Sequence, residues 1–202
     1  TSPVEAKRYL QTQLTTPLLN EPRLLTFKTG HLEQFWRSNC VAIGLSAGFL
    51  EPLESTGIYL IMRGILNLTK LLPSSPPCQA TIHEYNQLML SEYQHIRDFI
   101  VLHYCVSQRN DTSFWQSWQQ REIPTTLAHK LALYRTRGVV SHGQSDLFAD
   151  HSWHAVATGM NVLPRDVDPV VATTDVKALQ DLLARIDHAL AHSVGQLMPH
   201  GE

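Results

Sequence analysis

Hydrophobic residues recur along most of this 202-residue chain at the three- to four-residue spacing that is typical of amphipathic helices. The longest such segment is Gln79–Val106, which places its apolar side chains on one broad face. Two others are Leu53–Leu72, which a proline-rich stretch ends, and Asp175–Val194. The pattern therefore predicts a mainly α fold.

Capping signals predict further, shorter helices. Ser2 followed by Pro3 and Glu5 combines an N-cap residue, a first-turn proline and a first-turn acid, so a helix is expected to run to about Gln13. Another helix is expected from Pro124 to Arg137, with Gly138 ending it. A short helix is expected at Ser152–Thr158.

The β content is predicted to be small. Leu24–Thr29 alternates like a strand, and the compact apolar run Asn39–Gly44 has the composition of a buried strand. Two strands do not make an independently stable sheet. We therefore expect these strands to need neighbours that the 202 residues do not supply.

The most informative stretch, Asn39–Ile58, predicts a strand, a glycine-rich loop and the start of a helix. The N–H groups at such a helix start attract anions, and Thr56 and Gly57 lie in its first turn. Glu54 stands beside them, where a carboxylate is unfavourable for an anion unless it takes part in chemistry. The alternative is that Glu54 stabilises the helix dipole while Ser55 caps the helix.

This stretch resembles a motif of the flavin-dependent tryptophan halogenases. The matching strings are Asn-Cys-Val-Ala-Ile-Gly-Leu at 39–45 and Phe-Leu-Glu-Pro-Leu-Glu-Ser-Thr-Gly-Ile at 49–58. Further similarity lies in Arg97-Asp98-Phe99, His103-Tyr104, Arg109-Asn110-Asp111-Thr112-Ser113-Phe114-Trp115 and Leu147-Phe148. The likeness extends over almost the whole chain.

The resemblance implies an architecture as well. It implies the C-terminal portion of an FAD-dependent monooxygenase-like α+β fold, in which residues 1–60 are a remnant of the FAD-binding domain and residues 61–202 are a helical substrate-side domain. The family's GxGxxG motif, its Trp-x-Trp-x-Ile-Pro motif and its catalytic lysine are not in these 202 residues. We therefore expect the chain to be inactive by itself and to need the missing N-terminal part.

The resemblance also implies the chemistry and the residues that perform it. The family uses FADH₂ from a separate flavin reductase, together with O₂ and chloride or bromide, to halogenate a small aromatic substrate. By the same correspondence Glu54 is catalytic, Thr56 and Gly57 bind the halide through their backbone, and Leu45 and Ile58 contact FAD. Members that act on free tryptophan carry a Tyr-Tyr pair and a glutamate before the position of Leu147, which residues 141–146 lack. An indole or another electron-rich aromatic is therefore the expected substrate.

Composition and charge exclude some classes of protein. Charged residues make up 17% of the chain and the net charge is −2, which excludes a strongly basic nucleic-acid binder. No apolar run approaches the length of a membrane span, because Arg63 and Asn67 interrupt the best candidate. Three widely spaced cysteines favour a reducing, cytoplasmic setting. A homodimer is compatible with the sequence.

Several alternatives stay open at this level. A halogenase-like flavin monooxygenase that hydroxylates its substrate is the second interpretation, and a non-catalytic helical protein that binds a partner is the third. The histidine pairs His151/His154 and His188/His192 have metal-ligand spacing but no acidic partner placed with them, so no metal site is predicted. The aromatic segment around Trp115 fits a pocket wall or a core.

Overall fold

The computed structural model describes residues 2–73, 76–141, 143, 146–166 and 168–198. Within these residues the chain is mainly helical, as predicted. The helices are α1 (Pro3–Gln13), α2 (Thr56–Leu71), α3 (Gln79–Cys105), α4 (Ser113–Gln120), α5 (Thr125–Arg137), α6 (Asp150–Gly159), α7 (Pro169–Ala172) and α8 (Val176–Gly195). The strands are β1 (Gly30–His31), β2 (Trp36–Arg37), β3 (Cys40–Val41) and β4 (Gly48–Phe49).

The backbone divides into two compact units, Thr1–Tyr93 and Gln94–Glu202. Helix α3 contributes its residues up to Tyr93 to the first unit and its residues from Gln94 onward to the second. The predicted functional division at residue 60 concerns the halogenase domains rather than backbone compactness, and it stays a prediction.

The predicted helix ends are confirmed where capping residues specify them. The Ser2 side chain accepts the Glu5 N–H while Glu5 accepts the Ser2 N–H, which forms a capping box at the start of α1. Gly138 ends α5 in the left-handed conformation with φ 68°. Asp175 caps α8 by accepting the N–H of Lys177.

The strand predictions are largely wrong. Residues 24–29 form no strand, and Leu24, Leu25 and Phe27 are exposed because no neighbouring strand pairs with them. In the apolar run 39–44 only β3 is a strand, and its residue Cys40 is exposed rather than buried. The strands pair antiparallel as β1 with β4 and β2 with β3, two residues each, so backbone pairing contributes little order here.

The core of the first unit lies between α3 and the segment that carries β2. Phe35, Trp36, Tyr85 and Met89 are buried, and the Trp36 indole meets the Tyr85 ring edge to face. The Asn86 amide oxygen accepts the N–H groups of Phe35 and Trp36, at 2.7 and 2.8 Å. This one side chain therefore fixes an irregular segment to α3.

The second unit has a more continuous core of aromatic and aliphatic side chains. Phe99 lies at its centre, stacked on Phe148 with 3.8 Å between ring centroids and edge to face with Trp153. The buried members of this core are Phe99, Leu102, Val106, Leu127, Leu131, Tyr134, Val140, Trp153 and Ala157. The predicted apolar face of the long helix is confirmed by Tyr85, Met89, Ile96 and Phe99, all of which are buried.

Candidate functional site

The turn before α2 has an unusual backbone. A 3₁₀ turn at Leu53–Ser55 precedes the helix, and within it Glu54 has φ 64° and Ser55 has φ 55°. A left-handed conformation costs a non-glycine residue roughly 1–2 kcal/mol, and such strain persists where the surrounding structure requires it. The Ser55 side chain makes no capping hydrogen bond, so the interpretation of Ser55 as a simple N-cap is wrong.

A cleft of about 310 Å³ opens beside this turn. It brings together four of the five predicted site residues, Leu45, Thr56, Gly57 and Ile58, while the exposed Glu54 is outside its lining. The other lining residues are Gly44, Gly48, Phe49, Leu50, Pro52, Ser55, Leu60, Ile61 and Tyr93. No charged side chain lines this cleft within the described part of the chain.

The N-terminus of α2 gives the cleft its polar groups. Thr56 and Gly57 are the first two residues of the helix, at the end where backbone N–H groups point outward and the helix dipole is positive. A Cβ atom added to Gly57 would meet no heavy atom within 4 Å, so the space beside this helix end is open. The arrangement suits a small anion held between amide donors and apolar walls.

A buried polar network fixes the position of α2. The Glu92 carboxylate on α3 accepts hydrogen bonds from the Tyr59 hydroxyl at 2.8 Å and from the Arg63 guanidinium at 2.6 Å. Burial is the largest single influence and opposes the charge on Arg63, but the hydrogen bond to Glu92 and the negative charge of Glu92 together outweigh it and raise the pKa of Arg63. Because Tyr59 lies three residues after Thr56, the network holds the helix close to its N-terminal end.

Sequence reasoning did not identify Tyr93 as a residue of this site. Tyr93 is 1% exposed and belongs to the cleft lining. It lies four residues after Met89 and three before Ile96, so helical periodicity places it on the buried face of α3. Periodicity does not reveal that this part of the face borders a cleft, because the residues of the opposite wall are more than 30 positions away in the chain.

The other sequence candidates lie outside the cleft. Trp115 and Trp118 are half-buried and stack against Tyr104, while Arg109 and Arg121 lie 4.6 and 4.5 Å from the respective indole centroids. No group of three potential metal ligands forms among the residues that the structure describes. Of the segment 141–146 that bears on substrate choice, residues 142, 144 and 145 lie outside the described residues.

None of the helices in the described part of the chain is both long enough and apolar enough to span a membrane.

Comparison with known proteins gives consistent matches. Tryptophan 6-halogenase SttH of Streptomyces toxytricini is 32% identical over 89% of this chain and 35% of its own length. 7-Chloro-L-tryptophan 6-halogenase KtzR of Kutzneria sp. (strain 744) is 30% identical over 100% of this chain and 40% of its own length.

Solved structures agree with these matches. Xcc4156, a flavin-dependent halogenase from Xanthomonas campestris, superposes with a TM-score of 0.91 at 38% identity, over 99% of this chain and 40% of that protein. The chain thus spans 35–40% of the length of these three relatives. The family model described as tryptophan halogenase matches residues 1–176, and the chain therefore belongs to the tryptophan halogenase family.

Proposed function

We propose that the chain forms the halide-binding and substrate-side part of a flavin-dependent halogenase. The enzyme would chlorinate or brominate an electron-rich aromatic compound of the tryptophan or indole type. The observation that carries the proposal is the apolar cleft in which the first residues of α2 provide the amide donors. Family membership supports the same reaction, because flavin-dependent halogenases are enzymes of this class.

The cleft suits a halide for electrostatic reasons. Chloride and bromide are large, weakly hydrated anions, so amide donors and a helix dipole compensate for the water that they lose. A lysine at this place would be exposed to hypohalous acid, whereas backbone N–H groups are much less reactive. Thr56 and Gly57 are therefore the proposed halide ligands, through their backbone.

The residues on the rim suit a flat aromatic cofactor. Leu45 and Ile58 line the cleft and are nevertheless 81% and 72% exposed. Apolar side chains of this kind gain free energy when a ring system covers them. We assign them to contacts with FAD, which, when bound in reduced form, supplies the electrons that let O₂ oxidise the halide.

Glu54 is the proposed catalytic residue. Its backbone is held in the left-handed conformation, and its side chain is exposed beside the cleft rather than inside it. A carboxylate in that place stabilises the positive charge that develops on an aromatic ring attacked by electrophilic halogen, and it accepts the ring proton that leaves. Thr56 and Gly57 thus act on the halide, whereas Glu54 acts on the aromatic substrate.

These 202 residues are proposed to work only with the rest of the halogenase fold. They carry neither the GxGxxG motif nor the lysine of the family context. We propose that residues 1–60 complete an FAD-binding domain and that residues 61–202 cover the substrate. A separate flavin reductase would supply FADH₂.

A chimaera tests the proposal. The 202 residues would replace the matching 40% of Xcc4156, and the product would be assayed by mass spectrometry with indole, flavin reductase, O₂ and bromide. We expect a monobrominated product with the paired isotope peaks of bromine. A hydroxylated product that forms equally well without bromide would favour the monooxygenase alternative. A folded chimaera that binds FAD and forms neither product would favour the non-catalytic alternative.

A further inference from the structure

Residues 24–29, whose alternation predicts a strand, are left without a partner strand in the structure. The segment contains no helix, turn or bend, and it leads directly into β1. Its backbone N–H and C=O groups make no backbone hydrogen bond to any residue that the structure describes. Leu25 and Phe27, which alternate with polar neighbours, are each 68% exposed. An exposed apolar segment with unpaired backbone groups is a template for another strand.

The strand β4 does not continue its pairing along this segment. It pairs antiparallel with β1, with Phe49 opposite Gly30, so residues 24–29 would lie opposite the residues that follow Phe49. Pro52, three positions later, has no N–H to donate, and the 3₁₀ turn Leu53–Ser55 begins directly after it. A partner strand for residues 24–29 therefore has to come from another segment.

The pairing of β1 also identifies the open edge. The Leu32 N–H donates to the Ala47 carbonyl at 2.8 Å, which continues the register of β1 with β4 and shows that this N–H points toward β4. Along a strand, the backbone groups of successive residues point to opposite edges. A strand that continues β1 back to residue 24 thus presents its odd-numbered residues to the edge that β4 leaves open.

We propose that residues 24–31 pair along this open edge with a strand from the N-terminal part of the halogenase fold. The inference rests on the proposed function and extends it, because it names the contact through which that part joins the chain. Xcc4156 superposes over 99% of this chain, so the segment has a counterpart in an enzyme whose greater part lies outside the match. Backbone hydrogen bonds would hold the added strand, and apolar side chains on it would cover Leu25 and Phe27.

The added strand would also support the candidate site. The Phe27 ring meets the Phe49 ring edge to face, with 4.8 Å between centroids. Phe49 and Gly48 form β4, which pairs with β1, and both of them line the cleft. A strand that covers Phe27 and extends the pairing of β1 therefore steadies this wall of the cleft. The docking of the N-terminal part is thereby linked to the shape of the proposed halide site.

Amide hydrogen exchange tests the proposal on the 202-residue chain and on the chimaera. Mass spectrometry with electron-transfer fragmentation resolves the individual amides. We expect the amides of Leu25, Phe27 and Thr29 to exchange about 100-fold more slowly in the chimaera than in the isolated chain, because only the chimaera supplies the partner strand. The amides of Thr26 and Lys28, which point to the other edge, should gain less protection.

Two proline variants of the chimaera provide a matched comparison. Thr29→Pro removes an N–H group from the open edge, whereas Thr26→Pro removes one that points toward the side of β4. Proline is tolerated in a strand where its missing N–H is not needed for pairing. We therefore expect Thr29→Pro to abolish most of the protection at Leu25 and Phe27, and Thr26→Pro to keep the protection at Phe27 and Thr29.

The outcomes separate this inference from the proposed function. Equal exchange rates in the isolated chain and the wild-type chimaera would overturn the inference, even if the chimaera brominates indole. Protection that appears in the isolated chain and grows with its concentration would also overturn it, by assigning the edge to a second copy of the chain. Equal losses of protection in the two proline variants would overturn the assignment of the open edge. Alternating protection in a chimaera that makes no halogenated product would support the inference and contradict the proposed function.

Discussion

The two compact units differ in where their exposed apolar residues lie. Every residue of α8 in the second unit is exposed, although that unit has a core of its own. The second unit surrounds Phe99 with a continuous core. In the first unit, Ile58, Met62, Ile65 and Leu66 along α2 are each at least 50% exposed. The candidate site lies on that same helix. The proposed chemistry thus belongs to the unit in which a strained turn adjoins an exposed apolar helix face, and the cofactor and further protein would cover that face.

The two units also differ in how their buried charged groups are paired. In the first unit the Glu92 carboxylate pairs with both Tyr59 and Arg63. In the second unit Lys130 is buried against the Trp153 ring, and burial lowers the pKa of its ammonium group despite the opposing influence of Asp98. Within the described residues its Nζ atom makes no hydrogen bond. In the first unit, the buried Glu92 carboxylate therefore helps to fix α2. In the second unit, the buried Lys130 ammonium group lies against an aromatic ring.

The largest expected effect concerns Glu54. In the chimaera, Glu54→Gln keeps the size of the side chain and removes its charge, so product formation should fall by about 100-fold or more. The FAD Kd should stay unchanged, because Glu54 does not line the cleft. Glu84→Gln on the exposed side of α3 is the matched control and should keep full activity. Unchanged turnover of Glu54→Gln would remove this residue from the mechanism.

Removing one buried ring and one exposed ring compares a core position of the second unit with an open position of the first. Phe99→Ala should lower the free energy of unfolding of the chain by about 4 kcal/mol, because it leaves a cavity among stacked rings. Phe27→Ala in the first unit removes a ring that is 68% exposed, and it should cost about 1 kcal/mol or less. Urea denaturation of both variants measures the difference. Similar losses would contradict the difference in burial between Phe99 and Phe27.

The polar network on α2 should contribute less than the aromatic core. Glu92→Ala leaves Tyr59 and Arg63 without their acceptor, so unfolding should become easier by about 2 kcal/mol. Arg63 keeps partial access to water, which limits the loss. Glu84→Ala, an exposed glutamate of the same helix, should change the free energy of unfolding by about 0.5 kcal/mol at most. A loss no greater than that of the control would show that the network does not fix α2.

The strained turn predicts a stabilising substitution. Ser55→Gly should raise the free energy of unfolding by about 1 kcal/mol, since glycine adopts a left-handed φ without steric cost. Ser91→Gly in the middle of α3 should have the opposite sign, with a loss of about 1 kcal/mol. Thermal unfolding of the two variants distinguishes them. A destabilised Ser55→Gly would contradict the strain inferred for this turn.

The smallest effect concerns thiol reactivity. The Thr81 hydroxyl hydrogen-bonds to Cys78 at 3.2 Å and lowers the pKa of this exposed thiol, whereas burial raises the pKa of Cys105. Since the thiolate is the reactive form, iodoacetamide at pH 7.5 should label Cys78 about tenfold faster than Cys105, as peptide mass spectrometry would show. Thr81→Val should slow the labelling of Cys78. Labelling of Cys105 as fast as that of Cys78 would contradict the expected difference in thiol pKa.

Local rules were sufficient for the helices. The capping box at Ser2, the left-handed Gly138 and the three-to-four-residue periodicity of α3 depend on neighbours in the sequence, so each was predictable and is confirmed. Strands failed because pairing depends on residues far away. The alternation at 24–29 gave no information on whether a partner strand exists, and within the described residues none does.

The sequence by itself determined the helical architecture and, through the string from Glu51 to Gly57, the family and the segment that we propose carries its chemistry. Only the tertiary structure decided that Leu45, Thr56, Gly57 and Ile58 share one cleft, that Glu54 stays outside it, and that Tyr93 joins it from another helix. The physical reason is how far apart along the chain the interacting residues lie. Capping and periodicity act within a few residues, whereas a cleft is made by packing between segments whose separation along the chain carries no local signal.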